Sequence, residues 1–388
     1  MQIHRKSFGL RSQIQESLDN LYESSFINDL RQSGGQYKVN DLTFYLAKVF
    51  GFCWGVDRAI SMAYESAKFF KDKKIWITNE IIHNPLVNDN LTKLNINFLP
   101  KNSDNTIDFN LIKNDDVVIL PAFGVSKEDL NKLHGFGCHI VDTTCPWVSR
   151  VWNRIEKYEK QNFTAIIHGK YNHEETIATA SRSDKFLIVQ NYDEAKWVCD
   201  FILNDGDIDE FLLKFKLATS FNFNPKTDLD KIGIANQTTM LKGETEQIGK
   251  LFEKTILTKF GPSYLDEHFM SPGDTICDAT QERQDAMLSL IQEPVNLIIV
   301  IGGFNSSNTG HLQEIAESAK IKSFHIDGVN CLISANKIRH KIAHESTIVT
   351  SENWLSKSDV NIGITSGAST PNQVVASVIE RIVELSQT

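Results

Sequence analysis

Short apolar runs and longer amphipathic stripes alternate along this chain from Phe44 to its end. β-Branched or apolar runs occupy 74–78, 117–120, 139–143, 164–168, 186–189, 231–235, 295–301, 322–326 and 360–365, each the length of one strand. Between them, Val56, Ala59, Ile60, Ala63 and Ala67 keep the i, i+3, i+4 spacing of a helix face. Val148, Val151, Trp152 and Ile155 do the same, as do Val374, Val375, Val378, Ile379 and Ile382. This alternation predicts an α/β protein with parallel layers, whose ligands bind beyond the carboxyl ends of the strands. Residues 1–43 are polar and broken at Ser33-Gly34-Gly35; they read as an extension, helical in part between Ile14 and Leu30. Residues 191–230, with Asn204-Asp205-Gly206-Asp207, read as an insertion or irregular connection.

Composition narrows the function. A chain of 388 residues exceeds the usual single-domain size, so more than one domain is expected. A net charge of −9 argues against a general nucleic-acid binder, yet a local nest of backbone N–H groups still binds phosphate without net positive charge. No apolar run is long enough to span a membrane, and residues near Met1 carry no signal-peptide pattern. Six cysteines without a dense framework fit a reducing cytosol, where the chain is expected to reside.

Three of those cysteines share one local setting. Cys53, Cys145 and Cys277 each follow an apolar stretch and precede a helix-like segment. A helix N-terminus favours the thiolate, the form that binds iron or zinc. Cys138, Cys199 and Cys331 read as small buried hydrophobes. No Cys-x-x-Cys pair exists, so zinc ribbons and ferredoxin-type runs are unsupported. Three separated ligands suit a metal centre with one open position, as catalysis at a metal requires.

Loops after strands carry the second signal. The 295–301 run leads into Gly302-Gly303-Phe304-Asn305-Ser306-Ser307-Asn308, and the 360–365 run into Ser366-Gly367-Ala368-Ser369-Thr370-Pro371. Such hydroxyl and amide side chains serve either as anion cradles or as ordinary helix caps. No complete G-x-G-x-x-G or phosphate-loop motif occurs, so a nicotinamide or ATP site is not indicated. His83, and His173 with Glu174 and Glu175, offer anion contacts and a proton, though spacing does not separate the two glutamates.

Together these stretches resemble the 4-hydroxy-3-methylbut-2-enyl diphosphate reductase family (LytB/IspH). The resemblance rests on Gly51-Phe52-Cys53-Trp54-Gly55-Val56-Asp57-Arg58-Ala59, Glu80-Ile81-Ile82-His83-Asn84, Asp142-Thr143-Thr144-Cys145-Pro146 and His173-Glu174-Glu175-Thr176. It continues through Gln237-Thr238-Thr239, Ile276-Cys277-Asp278-Ala279-Thr280, Asn305-Ser306-Ser307-Asn308 and Gly367-Ala368-Ser369, in the family's order over 44–388. His168-Gly169-Lys170-Tyr171, the 281–287 stretch and the N-terminal extension are similar to the cyanobacterial and plastid branch.

The resemblance implies three similar α/β units with mostly parallel sheets, in pseudo-threefold arrangement around a central iron–sulfur cluster. Its divisions would be 1–43 as extension, 44–53 as a strand joining the third unit, 54–144, 145–276 with an insertion near 191–230, and 277–388. Cys53, Cys145 and Cys277 would hold one four-iron four-sulfur cluster per chain, its fourth iron open to the substrate's allylic hydroxyl. His83, His173, Ser306, Ser307, Asn308 and Ser369 would bind the diphosphate. Glu175 would supply the proton, with Thr238 relaying or orienting it and also touching substrate. Two electrons from a low-potential donor such as ferredoxin or flavodoxin, with two protons, would give isopentenyl and dimethylallyl diphosphate, the last step of the non-mevalonate isoprenoid pathway. A cluster-dependent hydro-lyase also uses an open iron but turns over without reductant, and a non-catalytic iron–sulfur sensor has no need of Glu175. One position departs from the commonest family pattern: Phe123 stands where many relatives carry a histidine, so one diphosphate contact is missing or replaced.

Overall fold

The computed structural model describes residues 2–103, 106–271, 273, 275–355 and 359–387. They form an α/β protein with three mostly parallel sheets. Five strands, in the order Gln2–His4, His139–Asp142, Val117–Leu120, Ile75–Ile77 and Ile96–Phe98, make the first sheet, parallel throughout. Phe269–Met270, Ile232–Asn236, Thr164–His168 and Phe186–Val189 make the second, also parallel. The third has Lys322–Ile326, Leu297–Ile301, Val360–Ser366 and Leu42–Leu46 in parallel, with antiparallel strands added at both edges. The central strands read as unbroken apolar runs because helices cover both faces: Leu297–Ile301 is buried at every position.

Two compact units contain these sheets. The smaller, Phe123–Cys138 with Thr144–Cys277, has the second sheet and its core, from Ile166 and Ile234 to Phe252. The larger, Gln2–Ala122 with His139–Thr143 and the chain from Asp278 onward, holds the other two sheets, each with its own core.

Two segments differ from their polar appearance. Residues 191–230, expected as an irregular connection, are largely helical: Tyr192–Asn204, Ile208–Lys214 and Pro225–Asp228. Asn191 and Asp207 cap the first two by accepting the amides of Glu194 and Glu210, while Asp205, at φ 53°, ends the first helix. Phe201, Phe211, Phe215 and Phe223 join the smaller unit's core from both sides of that break, so no single period revealed them. Residues 1–43 contribute helices Arg11–Tyr22 and Ser25–Gln32, which place Ile14, Leu18 and Tyr22 in one core and Ile27 and Leu30 in another. Tyr22 and Tyr64 share a buried hydroxyl contact of 2.9 Å, and the Phe8 amide and Ser7 hydroxyl donate to the buried Glu65 carboxylate. The antiparallel pair Lys337–Lys341 and Ile348–Glu352 went unread because it is a charged edge with exposed alternate positions.

Because Ile27 is fully buried, Ile27→Ala should cost about 2–5 kcal/mol in chemical denaturation. A loss below about 0.5 kcal/mol, the range of ordinary surface substitutions, would show that the N-terminal helices are dispensable to the core.

Candidate functional site

In the larger unit, the loop before Cys53 is clamped by contacts to its backbone. Gly51, at φ +90°, turns the chain between Phe50 and Phe52, and a Cβ there would lie 2.7 Å from Asn372 Oδ1. Its amide donates to Ser366 Oγ at 3.0 Å, and Arg283 donates to its carbonyl at 2.5 Å. Cys53 then donates its amide to the Ala368 carbonyl (3.1 Å) and caps helix Trp54–Phe69, where its Sγ accepts the Val56 amide at 3.4 Å. That N–H is one a thiolate sulfur would take most strongly.

The same unit holds five of the predicted anion-binding positions, His83, Ser306, Ser307, Asn308 and Ser369. Gly303 lets the loops touch: a Cβ there would lie 2.3 Å from the His83 carbonyl. Ser369 Oγ donates to that same carbonyl at 3.3 Å, and Asn308 Oδ1 accepts the Ala368 amide at 3.1 Å. Ser306 caps helix Ser307–Ser318, accepting the amide and hydroxyl of Thr309. The two roles left open by the sequence are therefore divided within one loop. Ser306 caps, while Ser307 Oγ is buried and has no hydrogen-bond partner among the described residues. A buried, unanswered hydroxyl costs about 1–3 kcal/mol, which a phosphate oxygen would offset. His83 is 5% exposed, and its Nδ1 lies 2.9 Å from Glu80 Oε2. A carboxylate accepts, so Nδ1–H donates and Nε2 is the atom left to face a ligand.

In the smaller unit, Cys145 precedes helix Pro146–Lys160 as its cap residue, and Cys277 is the last residue of the unit. The Cys277 amide donates to the Thr238 carbonyl at 3.2 Å, and the Thr238 amide donates to Glu175 Oε1 at 2.6 Å. Glu175 is 2% exposed, whereas Glu174 is half-buried; burial makes the distinction that spacing could not. His173 Nδ1 accepts the Glu175 amide at 3.2 Å, which leaves the ring hydrogen on Nε2. Phe123 packs edge-to-face on the His173 ring, centroids 5.7 Å apart at 80°, so a ring contact stands where a hydrogen bond was expected.

Three supporting residues were quoted in motifs but given no role. Glu80 fixes the His83 ring from three positions earlier. Gln237 Oε1 accepts from the Lys170 amide and Thr176 hydroxyl, tying the 168–170 loop to the 237–239 loop. Arg283, buried in helix Asp278–Leu290, reaches back to Gly51. The first was signalled by Glu-x-x-His spacing; the other two act across long sequence separations.

Accessibility divides the six cysteines, none of them in a disulfide, as their settings suggested. Cys53, Cys145 and Cys277 are partly exposed; Cys138, Cys199 and Cys331 are buried. Burial pushes the Cys199 thiol up to about 12, and burial followed by Asp327 raises Cys331. At pH 8 only about one Cys199 in ten thousand is thiolate. Iodoacetamide at that pH should label the first trio in metal-free folded protein and spare the second until denaturant is added. Labelling of Cys199 in the folded chain would contradict this division.

Comparisons with known proteins give the family and the fold. A family profile described as LytB protein matches residues 44–383. The 4-hydroxy-3-methylbut-2-enyl diphosphate reductase of Gloeobacter violaceus is 55% identical over 384 residues, covering 98% of this chain and 92% of its own. The protein of that name from Crocosphaera subtropica is 56% identical over 381 residues, covering 98% and 94%. A solved structure of the E-1-hydroxy-2-methyl-but-2-enyl-4-diphosphate reductase from Plasmodium falciparum has the same fold, with a TM-score of 0.63, 24% identity and 88% of each chain covered. With the family's stretch matched from the Leu42–Leu46 strand nearly to the C-terminus, and relatives more than half identical along almost their full length, this chain belongs to the LytB protein family.

Proposed function

We infer that this chain reductively removes the allylic hydroxyl of (E)-4-hydroxy-3-methylbut-2-enyl diphosphate, giving isopentenyl and dimethylallyl diphosphate, the terminal step of the non-mevalonate pathway. The substrate's identity comes from the relatives' names. The observation that carries the chemistry is the Glu175–Thr238–Cys277 thread, in which one residue, Thr238, joins a buried carboxyl through its amide to a cysteine backbone through its carbonyl. A hydro-lyase reading has no comparable support, since relatives this similar are reductases.

Cys53, Cys145 and Cys277 are the thiolates we assign to a four-iron four-sulfur cluster, one per chain. Their donor set fits: three partly exposed thiols, each opening a helix, and one already accepting a backbone N–H at sulfur. When bound, such a cluster supplies electrons singly and an iron that polarises the alcohol's C–O bond. The remaining steps belong to this chain's side chains. The Thr238 amide occupies Glu175 Oε1, so a proton on the carboxyl sits on Oε2 and is donated from there to the departing oxygen. Backbone donation fixes the direction of that transfer, and burial excludes competing water. Ser307 and Ser306 hydroxyls, the Asn308 amide, and the Nε2 atoms of His83 and His173 are the donors we assign to the diphosphate, joined by Ser369 when its hydroxyl hydrogen turns from the His83 carbonyl to the ligand. These groups bind a strongly charged ligand within a chain of net charge −9. Reducing equivalents would come from a low-potential carrier such as ferredoxin or flavodoxin in the cytosol. Among the described residues no helix is long and apolar enough to cross a membrane. The division into 54–144, 145–276 and 277–388 is retained as part of this reading, since each segment supplies most of one sheet.

Glu175→Gln should lower kcat about 10²–10⁴-fold with little change in KM or iron content. Unchanged turnover of the hydroxylated diphosphate by that variant would remove the proton role. Cys145→Ser, reconstituted without oxygen, should bind less iron and lose the cluster's visible absorbance; iron content equal to the parent's would remove the ligand assignment.

A further inference from the structure

Helix Trp54–Phe69 begins immediately after Cys53 with a large aromatic side chain in water: Trp54 is 65% exposed. A single exposed ring is ordinary on a protein surface, so its meaning lies in the charges set around it. Residues 54, 57, 58 and 61 share one helix face by their i, i+3, i+4, i+7 spacing. The N-terminal segment runs along that face. Arg58 donates to the carbonyls of Arg5 (2.8 Å) and Thr143 (3.1 Å), and Arg11 grips Asp57 through both guanidinium nitrogens at 2.9 and 3.0 Å. Arg5 extends outward with 68% of its side chain exposed, paired with Asp142 at 3.2 Å, and Lys6 beside it is exposed. Four cations, Arg5, Lys6, Arg11 and Arg58, thus meet three carboxylates: Asp57 and Asp142, both paired, and Glu65, which is buried and hydrogen-bonded to Ser7 and Phe8. On a chain of net charge −9 this is a locally basic rim around an exposed tryptophan, one residue from a proposed cluster ligand.

We propose that Trp54, Arg58 and the Arg5–Lys6 segment form the docking surface for an acidic one-electron carrier protein. The proposal rests on the reductase reading, which requires two electrons per hydroxyl removed. The carrier is oxidised by one electron at each of two encounters; of the two protons taken up, one leaves in the water formed with the substrate hydroxyl and the other becomes the hydrogen of the product's new C–H bond. Charge complementarity selects an acidic carrier, because like-charged approach to the rest of this chain is unfavourable and the basic rim is where the field reverses. Tryptophan and arginine are the side chains that most often anchor such contacts. The surface is bipartite, combining the cluster-bearing helix with the N-terminal segment, so the extension has a binding role in addition to its core contacts.

The experiment measures binding of a plant-type two-iron ferredoxin to the full chain by titration calorimetry at low and high salt, for the parent, Lys6→Glu and Trp54→Ala. The Lys6 side chain reaches open solvent, so its substitution leaves the fold intact, and thermal melting checks Trp54→Ala. Each variant should weaken binding about tenfold at low salt, and for the parent high salt should do the same. Unchanged affinity in Lys6→Glu, or parent binding indifferent to salt, overturns the proposal. Turnover with dithionite and methyl viologen separates the two readings. Lys6→Glu should retain the parent rate there, whereas absence of any parent rate would instead sink the reductase assignment.

Discussion

A parallel strand ends in backbone amides that have no further ladder partner, and in this protein the answer to those amides places the chemistry. Beyond Ile232–Asn236, the Thr238 amide is answered by the Glu175 carboxylate. Beyond Val360–Ser366, the Ala368 amide is answered by Asn308, and the Ala368 carbonyl receives Cys53. Each contact satisfies a buried polar group whose neglect would cost more than the bond itself contributes. The same contacts fix side chains that a loop would otherwise leave mobile.

This arrangement makes rigidity and function share atoms. Asn308 holds the 366–370 loop with its carbonyl oxygen and Thr280 with its amide at 3.4 Å, while Ser369 holds the His83 loop. Residues assigned to a diphosphate are therefore already part of a hydrogen-bonded frame. A ligand meets donors whose ordering entropy was lost on folding, which is preorganisation in its ordinary sense. Ser307 is the exception in that frame: its buried hydroxyl is left to the ligand.

Phe123 shows how a site keeps its geometry when one polar contact is replaced. A histidine at that position would offer a hydrogen bond; the phenyl ring offers an edge-to-face contact with His173 instead. The His173 ring is then fixed twice, by Phe123 and by the Glu175 amide on Nδ1, so its Nε2 direction is set without the extra imidazole.

Much of the fold was legible in the sequence. The strands at 117–120, 164–168, 186–189 and 322–326 match their predicted runs end to end; in Val117–Leu120 and Thr164–His168, both inside their sheets, every position is buried. The helices after Cys53 and Cys145 were legible from their stripes, and membership in the family from motifs in register. Other features needed coordinates. Local composition made residues 1–43 and 191–230 look peripheral, yet Ile27, Phe211 and Phe215 are fully buried, because core membership depends on which distant element covers a side chain. Spacing left Glu174 and Glu175 equal; burial and the amide of Thr238, 63 residues away, separate them. Sequence determined which residue types are available for the proposed chemistry and where they lie along the chain, since residue type and local period are properties of the chain itself. Tertiary structure decided which atom of each is presented, since hydrogen bonds over long sequence separations form only once the strands have paired.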